Sequence, residues 1–390
     1  MKLSKRMNVI KPSGTIAMAE KAREIARSGR KILNLDVGEP DFDTPEHIKK
    51  AAMEALMNGF THYTSSLGLI ELRRAITEYL KNRRKLDVDP EKEVIVTPGA
   101  KHAIFCACMA TLYPGDEVLV LAPTWPTHFT CIEAAEATSV EVPCGEEYSV
   151  DEEMLKKRIT NKTKMILINS PNNPTGGVLS VDELKVIADL AADHDLLILS
   201  DEIYDEIVYD GVEVRSMLSF DNIRENVIII NGFSKTYAMT GWRLGYAIAN
   251  KNVIEAMNRI QQNTTTCPAS FVQVAGIAAL KGPVDSIKIM LEEFDRRRKY
   301  IVKALNELPG VSCVMPKGAF YVFPRFHCLK MPSFEVSMKL LEEEYISTTP
   351  GSSFGMCGEG HIRISYANRL EIIVEAMERI KRFVEKYSVT

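Results

Sequence analysis

The chain has 390 residues, 46% hydrophobic and 26% charged, with a formal net charge of −4. That is the composition of a globular protein with room for two domains and a large core. The balanced charge offers no basic field for nucleic acid, and no apolar run reaches the roughly 20 residues of a membrane span.

The opening stretch, MKLSKRMNVIKPSGT, is basic but has no apolar h-region, so no secretory signal is expected and the cytoplasm is the expected compartment. Val94–Thr97 reads as a strand, Ala103–Leu112 as a helix and Glu117–Leu121 as a strand. The eight cysteines lie mostly among Ala, Ile, Val and Met, with no Cys-x-x-Cys, so buried thiols are expected rather than a metal or disulfide framework. Met165–Asn169 is a strand, Leu184, Ile187, Ala188 and Ala191 share a helical face, and Leu196–Ser200 and Val227–Asn231 are strands. Continuous apolar strands separated by helices imply a mostly parallel sheet with helices on both faces, an α/β fold. Beyond about residue 285 the pattern changes to a charged helix, short strands at Ala319–Phe323 and His361–Tyr366, and a terminal amphipathic helix. The expected organisation is a segment 1–45 packing with the small domain, a large domain over 46–285, and a small α+β domain over 286–390.

Open parallel sheets bind ligands beyond the carboxyl ends of their strands. Three strands here run into polar residues: Ser170 to Gly177, Asp201-Glu202-Ile203-Tyr204, and Gly232-Phe233-Ser234-Lys235-Thr236. The fold therefore brings Asn173, Asp201, Tyr204 and Lys235 to one edge. Taken singly, each is better explained by a turn or a helix cap. Between Val227 and Asn250, however, Lys235 and Arg243 are the only charged residues. Two cations in an apolar, Gly-rich segment expected to be largely buried call for an anion, and phosphate suits an Arg fork. A desolvated lysine also has the lowered pKa that a Schiff-base amine requires. Thr97-Pro98-Gly99-Ala100-Lys101 joins a strand to a helix start, where free N–H groups form a second anion element. Trp125, after another strand end, is placed to stack on a flat ligand. Arg363 alternates with Ile362 and Ile364 on an apolar strand and suits a carboxylate.

These residues resemble class I aminotransferases, pyridoxal-phosphate enzymes of fold type I. The matching motifs are Gly38-Glu39-Pro40-Asp41, Ser170 to Gly176, Asp201 to Tyr204, Ser234 to Gly245, and Arg363 with its neighbours. The resemblance covers essentially the whole chain and implies roles. Lys235 would carry the cofactor and move a proton between substrate Cα and the cofactor's C4′. Asp201 would keep the pyridine nitrogen protonated, so the ring acts as electron sink. Tyr204 and Asn173 would hydrogen-bond the ring's phenolic oxygen, and Trp125 would stack on the ring and border the substrate. The Gly99-Ala100-Lys101 loop, through backbone N–H groups, would hold the phosphate with Ser234 and Arg243. Arg363, Asn173 and the backbone of Gly38 would bind the substrate α-carboxylate. Tyr63 would reach the neighbouring subunit's phosphate, which makes the enzyme a homodimer with shared sites. Gly232 departs from the pattern, since many relatives have a phosphate-binding Ser there.

Three other readings share part of this pattern. Same-fold pyridoxal-phosphate lyases share most of these residues. An aminotransferase-like transcription regulator needs a helix-turn-helix for which Gly38 comes too early. Gly351-Ser352-Ser353-Phe354-Gly355 fits a serine-hydrolase elbow, but a strand-like segment follows where a helix is required, so it reads as a turn. No metal is expected. For the substrate, the Lys101 ammonium, with Ser13 and Thr15 on an N-terminal lid, suits a distal carboxylate. Aspartate with 2-oxoglutarate is therefore the expected pair, as in the aspartate branch of class I, with an aromatic or broad-range amino acid as the alternative.

Overall fold

The computed structural model describes residues 15–27, 29–145 and 147–388, together with residues 4 and 7. In chain order the elements are α1 (Thr15–Arg27), β1 (Leu33–Asn34), α2 (Glu46–Met57), α3 (Ile70–Arg84), β2 (Val94–Thr97) and α4 (Ala100–Thr111). Then come β3 (Glu117–Ala122), α5 (Pro126–Ala134), β4 (Thr138–Pro143), α6 (Glu152–Arg158), β5 (Thr163–Asn169), α7 (Val181–Asp193) and β6 (Leu197–Asp201). They are followed by β7 (Val227–Gly232), β8 (Gly245–Ile248), α8 (Lys251–Gln262), α9 (Ser270–Lys281) and α10 (Asp285–Asn306). The last part holds β9 (Val311–Ser312), β10 (Tyr321–Val322), β11 (Arg325–Phe326), α11 (Ser333–Glu344), β12 (Ile346–Ser347), β13 (Thr349–Pro350), β14 (Ile362–Ser365) and α12 (Leu370–Tyr387).

Seven strands form the main sheet in the order β2-β8-β7-β6-β5-β3-β4. Every pairing is parallel except the two made by β8. The continuous apolar runs have a simple cause: alternate residues of one strand enter different cores. In β5, Ile166 and Ile168 join Leu119, Leu121 and Ile198 on one face. Met165 and Leu167 join Val118, Val120 and Leu199 on the other. The helices cover both faces, and α7 does so on the face read from sequence. It starts at a Ser180–Glu183 capping box and buries Leu184, Ile187, Ala188 and Ala191.

A third core gathers Leu33, Leu35, Phe294, Ile301, Ile362, Ile364, Ile373 and Phe383. Around it, β14 is the central strand of β10-β14-β13, with antiparallel pairing. The N-terminal segment enters this body through β1, which pairs in parallel with β12. No helix among the described residues is long and apolar enough to cross a membrane.

Parallel pairing puts the carboxyl ends of β3, β5, β6 and β7 on one edge of the main sheet. Asn169 stands opposite Asp201, and both Gly232 and Thr97 stand opposite Gly245. The small body's β14 faces this edge across a cavity.

Candidate active site

The cavity has a volume of about 1140 Å3, and its wall includes Gly38, Ala100, Lys101, Trp125, Asn173, Asp201, Tyr204, Ser234, Lys235, Arg243 and Arg363. Residues far apart in sequence thus meet at the strand ends. Asp201 closes β6 rather than following it. One of its carboxylate oxygens accepts from the Ile203 amide at 3.2 Å, and the other lies 3.1 Å from His128 Nε2. His128 is fully buried on α5, with Nδ1 2.8 Å from the Thr124 hydroxyl. An ionised carboxylate can only accept, so Nε2 is the donor toward Asp201, and in the neutral imidazole Nδ1 then accepts from the Thr124 hydroxyl. Trp125 packs edge-on against the same imidazole, 5.6 Å between ring centroids.

Lys235 follows β7. Its Nζ donates to the Gly38 carbonyl at 2.5 Å. Burial pushes its pKa down to about 8; Arg363 and Arg243 push the same way, while Glu39 and Asp201 oppose them. The ammonium is therefore poised to lose its proton near neutral pH. Tyr204 is buried, and burial holds its hydroxyl well above the usual phenol range, hence protonated.

Arg363 lies on β14 between two residues of the third core and points the other way. Nη1 donates to Asn173 Oδ1 at 3.1 Å, and Nη2 donates to the Asp36 carbonyl at 2.5 Å and to Thr349 Oγ1 at 3.1 Å. The guanidinium lies 4.6 Å from the Tyr321 ring centroid and 5.1 Å from that of Phe354. Its Nε is buried with no partner among the described residues.

A family model for aminotransferase class I and II matches residues 30–380. The chain belongs to this family. The aspartate aminotransferase of Pyrococcus abyssi is 43% identical over 100% of both chains. The aromatic-amino-acid aminotransferase 2 of Thermococcus litoralis is 43% identical over 99% of each. The crystal structure of the aspartate aminotransferase from Rhizobium meliloti superposes with a TM-score of 0.95 at 35% identity, covering 100% of both chains. This aminotransferase is accordingly a pyridoxal-phosphate-dependent transferase of fold type I.

The residues present fit that cofactor. At the end of β2, Gly99 has φ +85°, and a Cβ there would stand 2.5 Å from Arg243 Nη2. On Gly245 a Cβ would stand 2.4 Å from the Ala100 amide nitrogen. Glycines thus let the guanidinium and the first turn of α4 close together around an anion. The Ala100 and Lys101 amides open that helix and have no acceptor within it. This tight turn also explains why α4 starts at Ala100 rather than at Ala103. Gly232 is a glycine because a side chain would meet the Leu244 carbonyl at 3.0 Å.

One expectation is corrected. Arg243 is exposed, not buried: the segment breaks into a turn after Thr240, and Nη1 donates to the Thr240 carbonyl at 2.8 Å. What it is exposed to is the cavity, which accounts for a cation without an acidic partner among the described residues. Lys101 is exposed at the cavity rim, its Nζ 4.9 Å from the Trp125 ring centroid. Tyr63 stands outside the cavity and is 86% exposed. Thr15 starts α1, but its side chain, like all of Ser13, lies outside the described residues. Among the described residues no group of three or more His, Cys, Asp or Glu is arranged to hold a metal ion.

Sequence reasoning missed His128, Asn169, Tyr321 and Phe354. Asn169 braces the turn after β5: its Oδ1 accepts from the Asn173 amide at 2.9 Å and its Nδ2 donates to the Asp201 carbonyl at 3.0 Å. The available signal was placement, since Asn169 ends a strand and His128 is three residues past Trp125 on a helix.

Proposed function

We propose that this aminotransferase moves the amino group of aspartate to 2-oxoglutarate in a homodimer with shared active sites. The reading is supported most by Lys101, a cation at the cavity rim with no acidic partner among the described residues. A distal carboxylate would supply that partner, while Arg363, with its unpartnered Nε, and Asn173 take the α-carboxylate. Gly38 offers its backbone beside them. A donor with an aromatic side chain is the second reading, favoured by Phe105 and Trp125 in the same wall.

Pyridoxal phosphate, when bound, supplies a ring that takes up the electron pair left on Cα. Lys235 would carry it and, as the free amine, take the proton from Cα and return it at the cofactor's C4′. Asp201 would hold a proton on the pyridine nitrogen, with His128 and Thr124 behind it. Tyr204 and Asn173 would hydrogen-bond the phenolic oxygen, and Trp125 would stack on the ring. Gly99, the amides of Ala100 and Lys101, Ser234 and Arg243 would receive the phosphate. A segment 1–45 packing with a small domain over 286–390, beside a large domain over 46–285, is supported by Leu33 and Leu35 sharing a core with Phe294, Ile301 and Ile364, a core that also takes in Ile203, Tyr204, Ile207 and Tyr209 of the large domain. Eight unpaired cysteines suit a reducing, cytoplasmic setting.

Steady-state kinetics on Lys101→Ala test the substrate. Loss of one charged contact is expected to lower kcat/KM for aspartate about 10–100-fold, with alanine and phenylalanine changed far less. Equal slowing of all three, or a wild-type preference for phenylalanine, would reject the assignment.

The shared site rests on Tyr63 and on Met53 and Met57 of α2, which are 63% and 86% exposed although large and apolar. Mixed Lys235→Ala and Tyr63→Phe subunits, each impaired alone, are expected to recover about a quarter of wild-type activity, because each hybrid keeps one intact site. Hybrids that form but stay inactive would refute a shared site.

A further inference from the structure

Tyr321 belongs to none of the motifs that carry the family resemblance, yet it touches both ends of the cavity. It opens β10, is 1% exposed, and its hydroxyl lies 2.8 Å from that of Tyr204. On its other side it shapes the loop that Lys235 touches. A Cβ on Gly38 would stand 2.6 Å from the Tyr321 hydroxyl, and the Gly38 carbonyl accepts from Lys235 Nζ. The face of its ring supports the Arg363 guanidinium, 4.6 Å from the centroid.

A phenol has one proton to give and lone pairs to receive. Tyr204 can point its proton at Tyr321 or into the cavity, but not at both. Burial raises both hydroxyls above the ordinary phenol value, so both keep their protons, and a Tyr204 that donates into the cavity keeps lone pairs free to accept from Tyr321. Once an oxygen occupies the cavity beside Tyr204, the favoured chain runs from Tyr321 to Tyr204 to that oxygen, each bond strengthening the next.

We infer that Tyr321 is a positioning residue with two separable parts: its hydroxyl turns the Tyr204 proton toward the cofactor's phenolic oxygen, and its ring seats Arg363 for the substrate carboxylate. The inference rests on the proposed role of Tyr204. Asp201, Lys235 and Arg363 are the charged groups facing the tyrosine pair, and changing Tyr321 leaves all three in place.

The test uses the holoenzyme as wild type, Tyr204→Phe, Tyr321→Phe and Tyr321→Leu. Two quantities are read: the pH midpoint at which the bound cofactor's visible absorption band changes, and kcat and KM for the amino acid. Tyr204→Phe should raise the midpoint, because the oxygen's anionic form loses its donor. Tyr321→Phe should raise it by a smaller amount, about half a unit to one unit, and lower kcat severalfold with KM little changed. Tyr321→Leu should add a rise in KM of about three- to tenfold, because the ring is gone. A midpoint in Tyr321→Phe that stays at or falls below the wild-type value, while Tyr204→Phe shifts upward, overturns this inference alone. An unshifted Tyr204→Phe overturns the reading of Tyr204 beneath it. Equal KM increases in the Phe and Leu variants overturn the role of the ring. The Phe variant keeps the ring and its packing, so the hydroxyl is tested even if the Leu variant does not fold.

Discussion

Lys235→Ala is expected to abolish transamination, with kcat falling by about four orders of magnitude, and to end covalent trapping of the cofactor by borohydride. The expectation follows from position and surroundings. Lys235 stands just past the end of β7, bonded to the Gly38 carbonyl, with Arg363 and Arg243 acting against its positive charge. No other lysine in the cavity wall shares these surroundings, since Lys101 is exposed at the rim. Trapping at the wild-type level in the variant would assign the bond to another amine.

The same burial has a cost that can be measured without turnover. The lysine pKa falls from its ordinary 10.5 to about 8. Below pH 8 the folded and unfolded chains both carry the proton, and the penalty is constant. Between about 8 and 10.5 the unfolded chain binds more protons, so stability rises with pH. The full penalty is about 3 kcal/mol. Lys235→Met keeps the volume and loses the charge. The cofactor-free variant should therefore melt above the cofactor-free wild type at pH 7, with the gap narrowing above pH 8. Melting below wild type at pH 7 would contradict this.

The main sheet was legible because strands buried on both faces leave an unmistakable apolar run, as in Met165 to Ile168 and Val227 to Ile230. β4 was not read. Its Thr138–Pro143 sequence lies at the sheet edge, where most of its residues keep some exposure, so neither an apolar run nor a clean alternation marks it. β8 was also missed, because Gly-Tyr-Ala-Ile is short and follows a glycine-rich turn. The candidate site was legible where such a run gives way to polar residues: Asp201 ends β6, while Asn173 and Lys235 lie in the turns that follow β5 and β7. His128 was not, because its partner Asp201 lies 73 residues away and only sheet order brings them together. Phe354 was hidden in a Gly/Ser turn read as bare connection. The turn is a short helical one, and the Phe354 carbonyl accepts from the Thr124 amide at 3.0 Å. Arg243 was read as a phosphate-binding cation on a buried segment; it lines the cavity, but it is exposed. Composition reports how apolar a segment is, but not that a turn within it opens onto a cavity.

Asp201→Asn is expected to leave the protein folded and cofactor-bound while kcat falls about 10²–10⁴-fold. The fold should survive because an amide occupies the same space and its oxygen can still accept from either the Ile203 amide or His128. Its melting temperature should stay within a few degrees of wild type. Turnover should not survive, because a neutral amide cannot hold a proton on a pyridine nitrogen as a carboxylate does. In wild type His128 Nε2 lies 3.1 Å from one oxygen of Asp201, with the Thr124 hydroxyl 2.8 Å from Nδ1 behind it. In the variant the single amide oxygen can accept from His128 or from the Ile203 amide but not from both, and the NH₂ group is left facing the other donor. KM for the amino acid should change little, since Arg363 and Asn173, which are proposed to bind the carboxylate, make no hydrogen bond to Asp201. The prediction fails if the purified variant turns over within about tenfold of wild type, or if it unfolds, because either result would make Asp201 a structural residue rather than the group that tunes the ring.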